Sequence, residues 1–254
     1  MAEHTFHTPA PVELQVRIPT GEIEVETIDG DESFVSVSGN EKLVEQTRVE
    51  LDGNKLVVEL RGRKPLGITI SIGDFSFGNG GGLVVKARIP HASAARLATA
   101  AADMNLRGRY ERLDVNSASG DLRLSGEVER DAVLKTVSGD VRIDRVGGDL
   151  RVNSVSGDVA VASVGGSIES RTVSGDVRFD VVREGTVTVQ SVSGDIELGV
   201  APGTNLDVDA GSVSGDLSSE VPLGSEPHGA NADGPTVVLR GKTVSGDVKV
   251  FRAA

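Results

Sequence analysis

The hexapeptide Thr136-Val137-Ser138-Gly139-Asp140-Val141 recurs in close variants along the second half of the sequence. Its Ser-Gly-Asp core begins at Ser119, Ser138, Ser156, Ser174, Ser193, Ser214 and Ser245. Gly147-Gly148-Asp149 and Gly165-Gly166-Ser167 fall halfway between these motifs, so that glycines recur every nine residues between Gly139 and Gly175. A repeat of this kind predicts a stack of similar units, each 18 or 19 residues long and made of two half-turns.

Each half-turn alternates apolar and polar residues, which is typical of a strand with one buried face. Counted from the glycine, the apolar positions are −2, +2 and +4. They are Val137, Val141 and Ile143 in one half-turn, Val146, Leu150 and Val152 in the next, then Val155, Val159 and Val161, and later Val173, Val177 and Phe179. The pattern predicts that all three positions face the core, and that Val155→Asp would disrupt the stack. Glycine supplies a positive φ at the corner, where Ser and Asp side chains bond the turn backbone.

We therefore predict an all-β protein, a parallel β-solenoid whose 18–19-residue coils are flattened into two sheets. Residues 105–254 would form the solenoid, with a loop insertion rich in glycine and proline at residues 222–235. Residues 1–104 would form a more irregular β portion that continues or caps it. The alanines of residues 92–102 favour a helix by propensity, but their alternation with polar residues indicates a strand. The sequence of residues 48–60 indicates a hairpin with its turn at Asp52-Gly53-Asn54.

Composition and charge exclude several classes of function. The net charge of −12 over 254 residues disfavours nucleic acids and anionic membrane surfaces as partners. The chain has no cysteine, hence no disulfide and no thiolate metal site. No apolar run approaches the roughly 20 residues of a membrane helix, so direct membrane insertion is not expected. The first residues lack a basic segment followed by an apolar run, which predicts a cytoplasmic protein. The alternative is the cell envelope or the extracellular space, if an export signal was removed.

Two sets of motifs carry a resemblance to a known family. Ile18-Pro19 and Ile89-Pro90 each begin a similar stretch of sequence. Thr-Val-Ser-Gly-Asp-Val occurs at residues 136–141, 172–177 and 243–248. With these motifs the chain resembles a bacterial domain-of-unknown-function family, the toastrack proteins, which are candidate adhesins with β-strand repeats. The likeness covers most of the chain and is strongest from residue 113 onward. The resemblance implies a non-catalytic binding or scaffold role, in some cases linked to the cell envelope.

The aspartates of the repeat are the most conspicuous candidate site. Asp121, Asp140, Asp158, Asp176 and Asp195 should line one edge of the solenoid, about 4.8 Å apart. Like charges at that separation cost on the order of 1 kcal/mol per pair even in water, so that something must offset the repulsion. Calcium-binding β-rolls use a Gly-Gly-x-Gly-x-Asp repeat, of which the second glycine and the later aspartate are absent here. The favoured interpretation is a row of turn caps; a calcium ladder is the alternative, and no cofactor is expected.

Catalytic chemistry is weakly indicated. A polysaccharide-cleaving β-helix would need paired carboxylates, for which Asp144 and Asp180 are candidates, but the coils carry almost no aromatic sugar platforms. The glycines of residues 78–82 lack a following Gly-Lys-Ser/Thr, which favours a hairpin connection over a phosphate loop. His4 and His7 are expected in a frayed terminus, and His91 and His228 have no credible serine or metal partner in the sequence.

The predicted function is a non-catalytic structural or interaction scaffold that presents acidic solenoid faces to a protein partner. Self-assembly through an unpaired end coil is a second form of the same role. The alternative is a secreted or cell-surface adhesin, and a polysaccharide-active β-helix enzyme is a distant third.

Overall fold

A computed structural model describes residues 1–61, 82–220 and 234–253, and this part of the chain is almost entirely β. Its elements are β1 (Ala2–His7), β2 (Glu13–Ile28), β3 (Glu32–Gly39), α1 (Glu41–Gln46), β4 (Thr47–Asp52), β5 (Lys55–Leu60), β6 (Leu83–Pro90), β7 (Ser93–Ser119), β8 (Leu122–Val128), β9 (Ala132–Lys135), β10 (Val141–Val146), β11 (Leu150–Asn153), β12 (Val159–Val164), β13 (Ile168–Arg171), β14 (Val177–Val182), β15 (Gly185–Gln190), β16 (Ile196–Val200), β17 (Asn205–Ser214), β18 (Leu217–Ser219), β19 (Thr236–Ser245) and β20 (Val248–Arg252).

The repeat forms two stacks of parallel strands, which confirms the predicted β-solenoid. One stack runs β8, β10, β12, β14, β16, β20 and β18, and the other runs β9, β11, β13, β15, β19 and β17. Val159 lies opposite Val141 on one side and Val177 on the other, so adjacent coils are offset by 18 residues. Each coil adds one strand to each stack, and the backbone hydrogen bonds between coils hold the stack together.

The core between the stacks consists of small aliphatic side chains. Val141 and Ile143 are each 3 % exposed and Val146 is fully buried, as the alternation predicts. Phe179 is the largest core side chain of the repeat coils, and it too is fully buried. A narrow core suits valine and isoleucine because their branched side chains pack well on a pleated surface.

The N-terminal portion joins the stack through long strands. β2 is one long strand over Glu13–Ile28, and it lies parallel to β5, β6 and β7. β7 includes nearly all of residues 92–102, so the prediction of a strand there is confirmed.

Antiparallel strands lie at the N-terminal end. β4 and β5 form the hairpin predicted around Asp52, and β3 pairs antiparallel with both β1 and β6. The predicted frayed terminus is wrong, since His4 and His7 lie in β1 and pair with β3. The short helix α1 was not predicted; Asn40 caps it by accepting a hydrogen bond from the amide of Lys42 at 3.1 Å.

The last coils do not stack in sequence order. β19 pairs with β15 on one side and β17 on the other, and β20 likewise lies between β16 and β18. The strand that follows residues 222–235 therefore lies inside the stack and not at its end. The predicted loop at residues 222–235 lies outside the described residues except for Gly234 and Pro235, and so does the glycine run before Gly82.

Candidate interaction surface

The Ser-Gly-Asp motifs form one long edge of the solenoid, which we call the Ser-Gly-Asp edge. The serines of successive coils pair in register, in the order Ser138, Ser156, Ser174, Ser193 and Ser245. Gly157 adopts a φ of +122°, and a Cβ there would overlap the carbonyl oxygen of Gly139 in the adjacent coil. Glycine is thus required both for the corner and for the close approach of coils.

The valines that precede these serines point out of the protein. Their exposed fractions are 42 % for Val137, 45 % for Val155, 48 % for Val173, 50 % for Val192, 50 % for Val244 and 83 % for Val213. The prediction that Val137, Val155 and Val173 face the core is wrong, although Val146 of the other half-turn is buried as expected. The result is a continuous row of exposed valines, which we call the valine stripe.

The cause of this error lies in the strand before the corner. On β11 and the residues after it, Leu150, Val152 and Ser154 are buried, so alternation places Val155 outside. The positive φ of Gly157 then interrupts the alternation, so that the side chain of Val159, at the start of the next strand, points into the core. The position before five of the six exposed valines carries a small hydroxyl residue that is buried instead: Thr136, Ser154, Thr172, Ser191 and Thr243. This run of Ser and Thr was the sequence signal that marked the outward turn.

Beside the valine stripe runs the predicted row of aspartates. The backbone amide of each aspartate donates to Oδ1 of the aspartate one coil earlier, at 2.9 Å for Asp140 to Asp121, 3.1 Å for Asp158 to Asp140, 2.9 Å for Asp176 to Asp158 and 2.8 Å for Asp195 to Asp176. Asp103, Asp247 and Asp216 continue the same pattern. These charge-assisted bonds offset the repulsion between carboxylates.

All five predicted aspartates therefore come together in one row, which we call the aspartate ladder, and each supplies one oxygen to a neighbouring coil. The bonds join different coils, whereas the sequence suggested bonds within a turn. Among the described residues, no three histidine, aspartate or glutamate side chains are grouped so that they could hold a metal ion. The calcium ladder stays the alternative to a row of turn caps, and an experiment that distinguishes the two is given in the Discussion.

Away from this edge, arginines neutralise much of the acidic charge. Arg151 lies 2.8 Å from Glu169 of the next coil, and this hydrogen bond lowers the pKa of the Glu169 carboxyl. Arg178 lies 2.6 Å from Asp180, and the hydrogen bond between them raises the pKa of the Arg178 guanidinium. Asp144, the other candidate catalytic carboxylate, accepts a hydrogen bond from the amide of Gly126 at 2.9 Å. Asp144 and Asp180 are thus engaged in contacts between or along strands.

The N-terminal portion carries an open groove of about 710 Å³ next to β1 and β3. Two ion pairs lie in it: Lys86 lies 2.9 Å from Glu24, and Arg88 lies 3.5 Å from Glu26. Below it Tyr110 is fully buried, and its hydroxyl donates to the carbonyl of Val25 at 2.7 Å. Burial raises the pKa of Tyr110 far above its usual range. The groove is lined by charged side chains of both signs, while the Ser-Gly-Asp edge presents a row of exposed valines.

Comparison with known proteins shows which family has this architecture. The model of the toastrack family of unknown function, DUF4097, matches residues 13–251, which is nearly the whole chain. The chain belongs to the toastrack family. The resemblance deduced from the repeat is thereby confirmed. None of the curated proteins compared with this toastrack chain matches it.

Solved structures share the fold at low sequence identity. A candidate adhesin from Bacteroides fragilis NCTC 9343 has a TM-score of 0.54 and 12 % identity, over 98 % of this chain and 96 % of that one. A candidate lipid-binding protein from Parabacteroides distasonis ATCC 8503 has a TM-score of 0.48 and 12 % identity, over 98 % and 96 %. At this identity the first likeness shows the fold alone. No helix in the described part of the chain is long and apolar enough to cross a membrane.

Proposed function

We propose that this toastrack chain is a non-catalytic interaction scaffold that binds a protein partner along its Ser-Gly-Asp edge. The valine stripe carries the proposal, because six valines at least 42 % exposed lie in one row. Soluble proteins rarely leave contiguous apolar surface exposed unless something binds it. A solenoid extends such a surface with every coil.

The geometry of the stripe sets the kind of partner. Five steps separate Val137 from Val213 in the order of the stack, and at about 4.8 Å per step the stripe is roughly 24 Å long. The aspartate ladder runs beside it and favours lysine or arginine on the partner. A matching protein surface would present a row of apolar side chains flanked by basic ones.

Two substitutions test the stripe. Val155→Ser and Val173→Ser together remove apolar area from its centre; a valine that is about half exposed contributes roughly 1 kcal/mol when a partner covers it. The pair should therefore weaken binding by about 30-fold. The matched control is Phe34→Ser, since Phe34 is 38 % exposed but lies on β3, away from the edge.

The experiment is crosslinking in the native cells, with each variant in place of the natural chain, followed by affinity measurement on the recovered partner. We expect the natural chain and Phe34→Ser to recover the same dominant protein, and the double variant to lose it. Equal recovery by all three would refute the proposal.

A second candidate, a cell-surface adhesin, follows from the description of the Bacteroides fragilis protein of the same fold. The same edge would serve that role, and the two candidates differ in the location of the chain. The cytoplasmic location predicted from the sequence stays a prediction. Fractionation of native cells tests it: recovery at the envelope or outside the cell favours the adhesin.

A further inference from the structure

The terminal rung of the solenoid, β17 with β18, has a neighbour on one side only among the described residues. β17 pairs with β19, and β18 pairs with β20. In a parallel ladder, alternate residues direct their N–H and C=O groups toward opposite neighbours. The amide of Asn205 donates to Pro235 just before β19, at 2.8 Å, so Leu206, Val208 and Ala210 direct their backbone groups toward the open side.

The apolar core is also uncovered at this rung. Leu217 occupies the position that Val248 and Ile196 hold in the two preceding rungs of the stack. Those two side chains are fully buried, whereas Leu217 is 42 % exposed. Val208 takes the position of the fully buried Leu239 and is only partly buried. Backbone groups of β17 that have no partner among the described residues, together with partly exposed core side chains, have the form of a stack that lacks one rung.

The charge of this rung indicates what could cover it. Residues 205–220 contain four acidic residues and no lysine or arginine: Asp207, Asp209, Asp216 and Glu220. Asp207 and Asp209 are exposed on the outer face of β17. A second copy placed here about a two-fold axis would set acid against acid, which destabilises strand pairing. The strands β1 and β4 at the other end carry Glu3, Glu50 and Asp52 besides Arg48, so a head-to-tail copy brings no basic excess either.

We propose that β17 and β18 accept an added strand from another protein, an extended segment that alternates apolar residues with lysine or arginine. Where the segment pairs with β17, its apolar side chains would cover Val208 and its basic side chains would lie beside Asp207 and Asp209. Where it continues past the corner at Gly215 along β18, its apolar side chains would cover Leu217. Its main chain would pair with the open backbone groups of β17, as in other complexes formed by strand addition. This surface is distinct from the centre of the valine stripe and does not depend on a partner there.

The test uses a synthetic decapeptide of alternating valine and lysine, matched to the ten residues of β17. Binding to the full chain is measured by fluorescence anisotropy, and amide protection by hydrogen exchange. We expect the peptide to protect the amides of Leu206, Val208 and Ala210. Asp207→Lys with Asp209→Lys should weaken binding by at least about tenfold, because both ion pairs become repulsive.

Three controls separate strand addition from general attraction to an acidic protein. Glu45→Lys with Glu129→Lys changes the net charge equally at exposed sites away from β17 and should leave the affinity within about twofold. A peptide with glutamate in place of lysine should not bind. Val155→Ser with Val173→Ser should bind the decapeptide as the natural chain does, so that failure of the valine stripe would not affect this result.

Equal loss of affinity in both charge-reversed double variants would overturn the proposal, as would the absence of peptide protection on β17. Protection of these amides in the chain without peptide would show that the edge is already covered and would also overturn it. If that protection rose with protein concentration together with the mass in sedimentation, the occupant would be a second copy of the chain.

Discussion

Val155 and Val161 lie on the same coil and differ in burial, which makes a paired substitution to aspartate informative. Val161 is 1 % exposed and stacks between Ile143 and Phe179. Val161→Asp loses about 1.5–3 kcal/mol of apolar burial. It also places a carboxyl group in an aliphatic core. If burial raises the pKa of that carboxyl by about 3 units, the free energy of unfolding falls by on the order of 4 kcal/mol at neutral pH. The total of at least about 5 kcal/mol approaches the whole stability of many domains.

Val155→Asp should cost far less, because Val155 is 45 % exposed and the new carboxylate stays in water. Removing the buried half of the Val155 side chain lowers the free energy of unfolding by roughly 1 kcal/mol. In thermal melts followed by circular dichroism at pH 7, we expect Tm to fall by more than about 10 °C for Val161→Asp and by less than about 4 °C for Val155→Asp.

The pH dependence of the melts provides a second check. In Val161→Asp the new carboxyl would have a raised pKa in the folded chain and an ordinary aspartate pKa in the unfolded chain. The destabilisation should therefore shrink as pH falls from the raised pKa to the ordinary one, below which both states hold the proton. Val155→Asp should show no such recovery. Equal Tm losses for the two variants would refute the assignment of the outward face.

Three further predictions concern single positions and the ladder. Ser170 is 1 % exposed, its hydroxyl finds no hydrogen-bond partner among the described residues, and Val152 and Val189 hold the same position in adjacent coils. Ser170→Val should therefore raise the free energy of unfolding by about 1–2 kcal/mol in urea melts, and a loss would mean that the site is too small. Burial raises the pKa of Tyr110, so its contribution to stability is complete below pH 10 and is lost as pH rises. Above that pH the natural chain should lose up to about 1.4 kcal/mol per pH unit more than Tyr110→Phe; parallel curves would contradict this. Added calcium or chelator should move Tm by less than about 1 °C, and a rise of several degrees with calcium would show that the aspartate ladder binds it.

The period of the glycines was sufficient to predict the solenoid, because nine-residue half-turns with alternating apolar residues allow few other arrangements. Val141, Ile143 and Val159 were assigned to the core correctly because they lie on straight strands, where alternation holds. Val155 was assigned wrongly because alternation was carried through a corner. The buried Ser154 on the preceding strand would have corrected the assignment.

The order of the last rungs was beyond prediction from local pattern. β17 and β19 are both ten-residue strands that end in a Ser-Gly-Asp turn, so either could have followed β15. The choice depends on which one packs better against β15 and β16. Val237 and Leu239 of β19 are fully buried in that position, whereas β17 offers Asp207 and Asp209 on its outer face and remains half exposed. Such differences between near-equivalent strands lie in tertiary packing.

The inverted order of β17 and β19 has a consequence for how the chain is made. Up to β16, each coil leaving the ribosome finds its docking site already assembled, so the stack can grow as synthesis proceeds. The coil of β17 and β18 emerges next, but among the described strands it pairs only with β19 and β20, which are synthesised later. Meanwhile the edge of β15 and β16 stays bare. A pause in translation between residues 220 and 236 would therefore leave a nascent chain with two exposed aggregation-prone surfaces, the edge of β15 and β16 and the unpaired coil of β17 and β18. A chaperone would matter most during this interval.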